Sequence, residues 1–209
     1  MNTKPSQTLR YREAHQVFTL QEYLCAVDPR VRPRTRYNNL CNAQRREQAA
    51  RVTRGLYVSN LGVYRDSVPN VFLVAAKAAP DAVVSHHSAL EALGVAHSPF
   101  RTVYYTSAWR RAAFELRGYR FVGLAPPGAL LAHDEGQLLV DRVRAGGALV
   151  AATSPERTLV DCRRRLPPAG GLEELLRSLG GFSAMKAEDV AAYVRVLGSP
   201  VWRRAPVGS

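Results

Sequence analysis

The sequence is short of the residues that most often announce chemistry. Its 209 residues hold three cysteines (Cys25, Cys41 and Cys162), widely spaced and without a CxxC pair. That pattern argues against a disulfide framework and a thiolate zinc site, and it suits a reducing compartment. No glycine-rich loop of the GxGxxG or GxxxxGK[ST] kind occurs, and neither does an HRD or DFG triplet, so the usual parts of a nucleotide-phosphate site are missing. No apolar run is long enough to span a bilayer. The opening "MNTKPSQTLRYREAHQ" lacks the apolar core of a secretory signal,. A soluble, cytoplasmic protein without a membrane partner is therefore expected. Acidic residues are scarce too, 17 against 29 Lys and Arg, for a formal net charge of +12. Such an excess favours a polyanionic partner, either nucleic acid or an acidic protein surface.

What is present is a globular composition, 46% hydrophobic and 22% charged, sufficient for a real core. The charge is uneven. Residues 1–65 carry twelve Lys and Arg against Glu13, Glu22, Asp28 and Glu47, about two-thirds of the net charge. Residues 66–209 carry seventeen basic against thirteen acidic residues. The asymmetry predicts two functional parts with a boundary near residue 66.

In the first part, Thr19 with Glu22 three residues on forms a capping box, and Leu20, Tyr23, Leu24 and Val27 make one apolar helical face. "DPRVRP" breaks that helix. A second helix is expected from about Thr35 into the 40s, with Tyr37, Leu40, Cys41 and Gln44 facing inward. Its outer face would carry Arg34, Arg36, Asn38, Asn39, Arg45 and Arg46. "ARVTRGLYVS" then reads as β-structure bending at Gly55. Helix, turn, basic helix and β-ribbon together predict a winged helix-turn-helix. Arginine and asparagine on the second helix can read base edges, and Arg51 and Arg54 on the wing can reach the backbone or minor groove. The plainer reading is a small helical bundle with a solvated charged face.

The second part predicts a helix capped by Asn70, a short buried strand "AVV", and a helix capped by Ser85 and ended by Gly94. The segments "TVYYTSA", "GYRFVGLA" and "GQLLVDRV" are β-rich, and Gly146-Gly147 marks a hairpin. Ser154, Pro155 and Glu156 open another helix. Two more follow in "GLEELLRSLGG" and "KAEDVAAYVRVLG". That order predicts an α+β fold: an N-terminal winged helix followed by a larger mixed α/β domain.

Three segments carry a resemblance: "RVTRGLYV" in the first part, "AVVSHHSALEALGV" after a short helix, and "SPERTLVDC" about seventy residues later. In this order they resemble the AbiEi family of antitoxins, partners of nucleotidyltransferase toxins, over almost the whole chain from Val17 to about Gly198. Within that family the chain is most similar to the mycobacterial MenA/TakA type. The tail "GSPVWRRAPVGS" stops where longer members continue. The resemblance implies a winged helix that binds operator double-stranded DNA as an autorepressor, and a second domain that neutralises the cognate toxin. It also implies an alternative, in which the protein acts as an atypical serine kinase, or assists one, and inactivates the toxin by phosphorylation. The antitoxin reading needs no cofactor, whereas the kinase alternative needs ATP and Mg²⁺. A transcription factor with a sensor domain is the third possibility.

The candidates for toxin-neutralising or phosphate-handling chemistry are Lys77, Ser85, His86, Ser88, Arg157 and Asp161. Each has a bland counterpart. "LVAAK" echoes the kinase lysine motif, but the segment reads as helix and Lys77 as a surface lysine. Arg157 and Asp161, four apart on one helix, can clamp a phosphate or simply pair. His86 and His87 point about 100° apart on a helix, which is poor geometry for one metal ion, so no metal site is expected. A helix N-terminus would also hold them neutral.

Overall fold

The computed structural model describes residues 6–26, 30–109, 112–132, 136–182 and 184–198. Val27 and the Pro29 break, and the tail from Ser199 onward, lie outside the described residues.

Chain entry into the first part is set by hydrogen bonds that the sequence signals directly. After α1 (Gln7–Ala14) and β1 (Val17–Thr19), the Glu22 N–H donates to Thr19 Oγ1 at 3.1 Å, and the Thr19 N–H donates to Glu22 Oε2 at 2.7 Å. This capping box satisfies the exposed end of α2 (Leu20–Ala26),. The next helix, α3 (Pro33–Arg45), starts two residues before the expected Thr35, with proline at a first-turn position where its missing N–H costs nothing,. A hairpin of β2 (Ala49–Thr53) and β3 (Leu56–Ser59) follows. Its turn depends on Gly55 at φ +81°,. The three strands form an antiparallel sheet in the order β1-β3-β2.

Two assignments for α3 are corrected, one inward and one outward. Tyr37 is 43% exposed, whereas Leu40 and Ala43 are buried. Arg36, expected on the outer face, is half-buried, and its guanidinium donates to the Leu24 carbonyl at the end of α2. The carbonyls of a last helical turn lack intrahelical donors. A long arginine reaching across supplies one, which rotates the buried ridge onto Arg36, Leu40 and Ala43. α1 had escaped periodicity altogether because its buried residue is Arg12, which reaches Gln48 Oε1 at 3.3 Å.

The second part contains α4 (Val71–Ala76), β4 (Val83–Val84), α5 (His87–Ala92), β5 (Thr102–Thr106), β6 (Phe114–Leu116), β7 (Tyr119–Leu124), α6 (Gly128–Ala132), β8 (Val140–Ala145), β9 (Ala148–Thr153), α7 (Pro155–Arg164), α8 (Leu172–Leu179) and α9 (Ala187–Val196). Its strands form one six-stranded sheet in the order β6-β7-β5-β4-β9-β8. β5 pairs with β7, and β4 with β9, in parallel; the other pairs are antiparallel. The fold is a mixed α+β arrangement with two sheets. Among the described residues no helix is long and apolar enough to cross a membrane.

The stretch around residue 66 runs over a shared core. Val17, Leu56 and Val58 from the first sheet pack in one cluster with Val74, Ala75, Val84, Val103, Phe121 and Val150. Polar ties reinforce the contact: Gln16 Oε1 accepts from the Asn70 N–H at 3.0 Å, and Lys77 Nζ bonds both Glu22 oxygens at 2.7 and 2.8 Å.

A core common to both sheets predicts one cooperative unfolding transition. Leu56→Ala, at a site 1% exposed, is expected to cost about 2–5 kcal/mol. Urea unfolding followed by far-UV circular dichroism and by intrinsic fluorescence should shift together as one transition. Separate transitions would show that the two sheets fold independently.

Candidate functional site

Most of the residues singled out by the sequence lie in two regions. The first is a basic face on α3 and the β2–β3 hairpin. Arg34, Asn38, Asn39, Arg45, Arg46, Arg51 and Arg54 are all exposed. At 3.6 residues per turn, Arg34, Asn38 and Arg45 fall on one ridge, roughly opposite the buried Leu40 and Ala43,. Arg45 Nη1 donates to Asn42 Oδ1 at 3.4 Å and Arg51 Nε to the Thr53 carbonyl at 3.3 Å. Among the described residues none of these arginines is paired with a carboxylate. Their charge therefore faces solvent uncompensated. Arg36 alone of the proposed set is withdrawn from the face.

The second region is the stretch "SHHSALEALG". The N-cap of α5 is His86 rather than Ser85, and no side chain caps the helix. Ser85 is diverted: its N–H donates to the Tyr104 carbonyl at 3.1 Å, and its Oγ lies 3.1 Å from His86 Nδ1. Ser88 Oγ accepts from the Tyr104 N–H at 2.9 Å, so both serines stitch α5 to β5. His87 is fully buried, stacked on Phe100 with ring centroids 3.7 Å apart. Its Nε2 lies 3.2 Å from Glu174 Oε1, which also accepts from the Ser98 N–H and from Ser178 Oγ. Burial lowers the His87 pKa against the pull of Glu174. Burial raises the Glu174 pKa, yet the hydrogen bonds from Ser98 and His87 outweigh it and the net shift is downward. His87 is a structural tie between α5 and α8.

His87 Nδ1 has no hydrogen-bond partner, and His86 differs from His87 in backbone conformation. Its backbone sits at φ +53°, ψ −134°, a region that costs a residue with a Cβ about 1–3 kcal/mol. The residue is 3% exposed, and its Nε2 has no hydrogen-bond partner. Burial, then the nearby Arg165 and Arg157, lower its pKa to about 3. A neutral imidazole is thus held in a strained loop beside a cavity that Asp161, Arg164 and Arg165 also line. The geometry of Ser85, strand to loop to helix, could not be read from cap preference alone.

Arg157 and Asp161 form a buried pair, Nε to Oδ2 at 3.4 Å. Arg157 Nη1 also donates to the carbonyls of Gly136 and Leu138 at 2.9 and 2.6 Å, and the Tyr193 hydroxyl donates to Asp161 Oδ1 at 2.9 Å. Burial raises the Asp161 pKa against the opposing pull of Arg157 and Tyr193. These contacts hold α7 against α9 and the turn before β8. Glu156, expected to act on the α7 dipole, reaches farther and accepts from the Lys186 N–H at 3.0 Å, at the start of α9. Lys77 stands apart from this group. It lines a separate apolar groove of about 950 Å³ with Leu20, Leu24 and Ala79, and its Nζ is engaged by Glu22 and by the Val17 carbonyl at 3.3 Å. The structure therefore brings His86, contacted by Ser85, and Asp161 to one cavity and leaves Lys77 at the junction of the two parts. Among the described residues no group of three or more His, Cys, Asp or Glu could hold a metal ion. Compared with models of known protein families and with curated proteins, the chain matches none.

The neutral state of His86 has a consequence for stability. Unfolded, it titrates near 6.5; folded, at about 3. Between those values the unfolded chain binds more protons, so stability falls as the pH drops through that window, by up to about 1.4 kcal/mol per pH unit. His87, lowered by burial, acts in the same direction. Urea unfolding of the wild type between about pH 6.5 and 5 should show this slope, and His86→Gln should make it shallower, leaving the share of His87. An unchanged slope in the variant would mean that His86 protonates freely in the folded protein.

Proposed function

We propose that the protein is an antitoxin of the AbiEi kind, acting in the cytoplasm. It binds operator DNA through α3 and the β2–β3 hairpin, and neutralises a nucleotidyltransferase toxin through the second part. In this reading α2 and α3 form a helix-turn-helix and the hairpin is its wing. The observation that carries the DNA half is the solvent-facing ridge of Arg34, Asn38 and Arg45, with Arg51 and Arg54 exposed on the hairpin and none of these arginines paired with a carboxylate among the described residues. A helix of this kind fits a major groove. Arginine reads guanine, asparagine reads adenine, and the remaining cations neutralise phosphates. The second part carries far less net charge, +4 from seventeen basic and thirteen acidic residues, which suits a protein partner better than a polyanion. The sequence resemblance supplies the toxin; the tie of Lys77 to Glu22 favours neutralisation by binding over phosphoryl transfer through that lysine.

The DNA half is checked by fluorescence anisotropy with duplex DNA from upstream of the protein's own gene. Arg34→Ala combined with Arg45→Ala should weaken binding at least tenfold, because each exposed cation contributes without holding the fold together. Its urea midpoint should stay near that of the wild type. Arg36→Ala should do the reverse and lower the midpoint, since it removes the donor to the Leu24 carbonyl,. Unaltered DNA binding by the double variant would remove α3 as the reading helix.

The toxin half is checked by mixing the full chain with the product of the neighbouring toxin gene, with and without Mg²⁺-ATP, and recording intact masses. A stable complex with unmodified toxin is expected. A phosphate added to the toxin only when this protein and ATP are both present would replace neutralisation by binding with the kinase alternative.

A further inference from the structure

The run Arg163-Arg164-Arg165 closes α7 and is used by neither the basic face nor the Arg157–Asp161 pair. All three are exposed, and none has an ion pair or side-chain hydrogen bond among the described residues. Arg164 and Arg165 line a cavity of about 230 Å³ together with His86, Thr106 and Asp161. The same two arginines, with Tyr104 and Pro167, line an adjoining groove of about 560 Å³. Two guanidinium groups without an ion pair among the described residues thus stand where an inner cavity meets an outer groove.

The inner wall carries a buried imidazole. His86 is buried, its Nε2 is unpartnered, and its Nδ1 is 3.1 Å from Ser85 Oγ. When the Ser85 hydroxyl donates to Nδ1, the ring proton sits on Nε2 and that atom can donate to an acceptor. A buried polar atom without a partner costs free energy, and so does the positive φ that holds the ring there,. Both costs have a reason if the imidazole serves a ligand. Among the described residues Asp161 is the one carboxylate on the cavity wall, and its charge is compensated: Oδ2 faces Arg157 and Oδ1 accepts from Tyr193.

We propose that this cavity binds a phosphate group, free or carried by a small monoester. The phosphate would sit between Arg164, Arg165 and His86 Nε2, with any organic substituent lying along the outer groove by Tyr104. A tetrahedral dianion matches two guanidinium forks and one neutral donor, whereas a carboxylate leaves one positive charge unmatched. The inner volume is below the roughly 300–1,000 Å³ of pockets that enclose a drug-sized ligand, so it takes the phosphate and excludes a larger body. The site does not depend on the antitoxin reading.

The test uses the full chain labelled with ¹⁵N-histidine. Its imidazole signals are followed while inorganic phosphate, O-phosphoserine or AMP is added at constant ionic strength. The His86 signal, identified by its loss in His86→Gln, should move saturably, with His87 serving as a control for the fold. Arg164→Ala and Arg165→Ala should each weaken the response about tenfold or more, while Arg34→Ala with Arg45→Ala should leave it unchanged. Tighter binding of phosphoserine or of AMP than of inorganic phosphate would identify the monoester, and equal binding would identify the free anion. No saturable movement with any of the three, or a response that survives both single arginine substitutions, would overturn the proposal.

Discussion

The arrangement of this protein rests on one apolar contact, the burial of Val17, Leu56 and Val58 from the first sheet against Val74, Val84, Val103 and Val150. Neither surface would be stable in water alone, and burial of such side chains is the dominant favourable term in folding. Because that contact is non-directional, polar ties set its orientation. Lys77 bonds the same Glu22 that caps α2, and Gln16 holds the N-terminus of α4. The capping box of the first part is therefore also the anchor of the second. Through it the exposed ridge of α3 is carried at a fixed attitude on a larger body.

Much of the local structure is legible in the sequence because it depends on near neighbours. The Thr19–Glu22 box forms as its spacing predicts. Asn70 accepts from the N–H groups of Phe72 and Leu73, and Ser154 accepts from that of Arg157. Gly146 and Gly147 take positive φ at the β8–β9 turn. These are short-range satisfactions of backbone groups, and residue type is enough to foresee them. What escaped depends on partners distant in sequence. Arg36 turned inward because of a carbonyl twelve residues away on another helix. Ser85 lost its cap to a loop stitched to Tyr104. β4, two residues long, lies between β5 and β9, a placement set by pairing with residues about twenty and seventy positions later.

The candidate sites divide in the same way. The exposed cations of the basic face were legible, because an amphipathic helix shows its polar side in sequence. The split of the second group was not. His86 and His87 are adjacent and each keeps one buried nitrogen without a hydrogen-bond partner, yet His87 is stacked on Phe100 and tied to Glu174, whereas His86 sits in a strained backbone conformation. The difference comes from backbone conformation at a single residue, φ +53° at His86, which no periodicity reports. Arg164 and Arg165 gain meaning only once the loop of His86 is folded beside them.

The central claim is that an uncompensated basic ridge on α3 engages nucleic acid as part of a repressor. The most direct measurement is the salt dependence of binding to duplex DNA from upstream of the protein's own gene, beside an unrelated duplex of equal length. The account predicts a log–log slope near −0.9 for each phosphate neutralised, amounting to several phosphates, and tighter binding to the protein's own upstream sequence at every salt concentration. Binding that is absent, indifferent to salt, or equal for the two duplexes would contradict it.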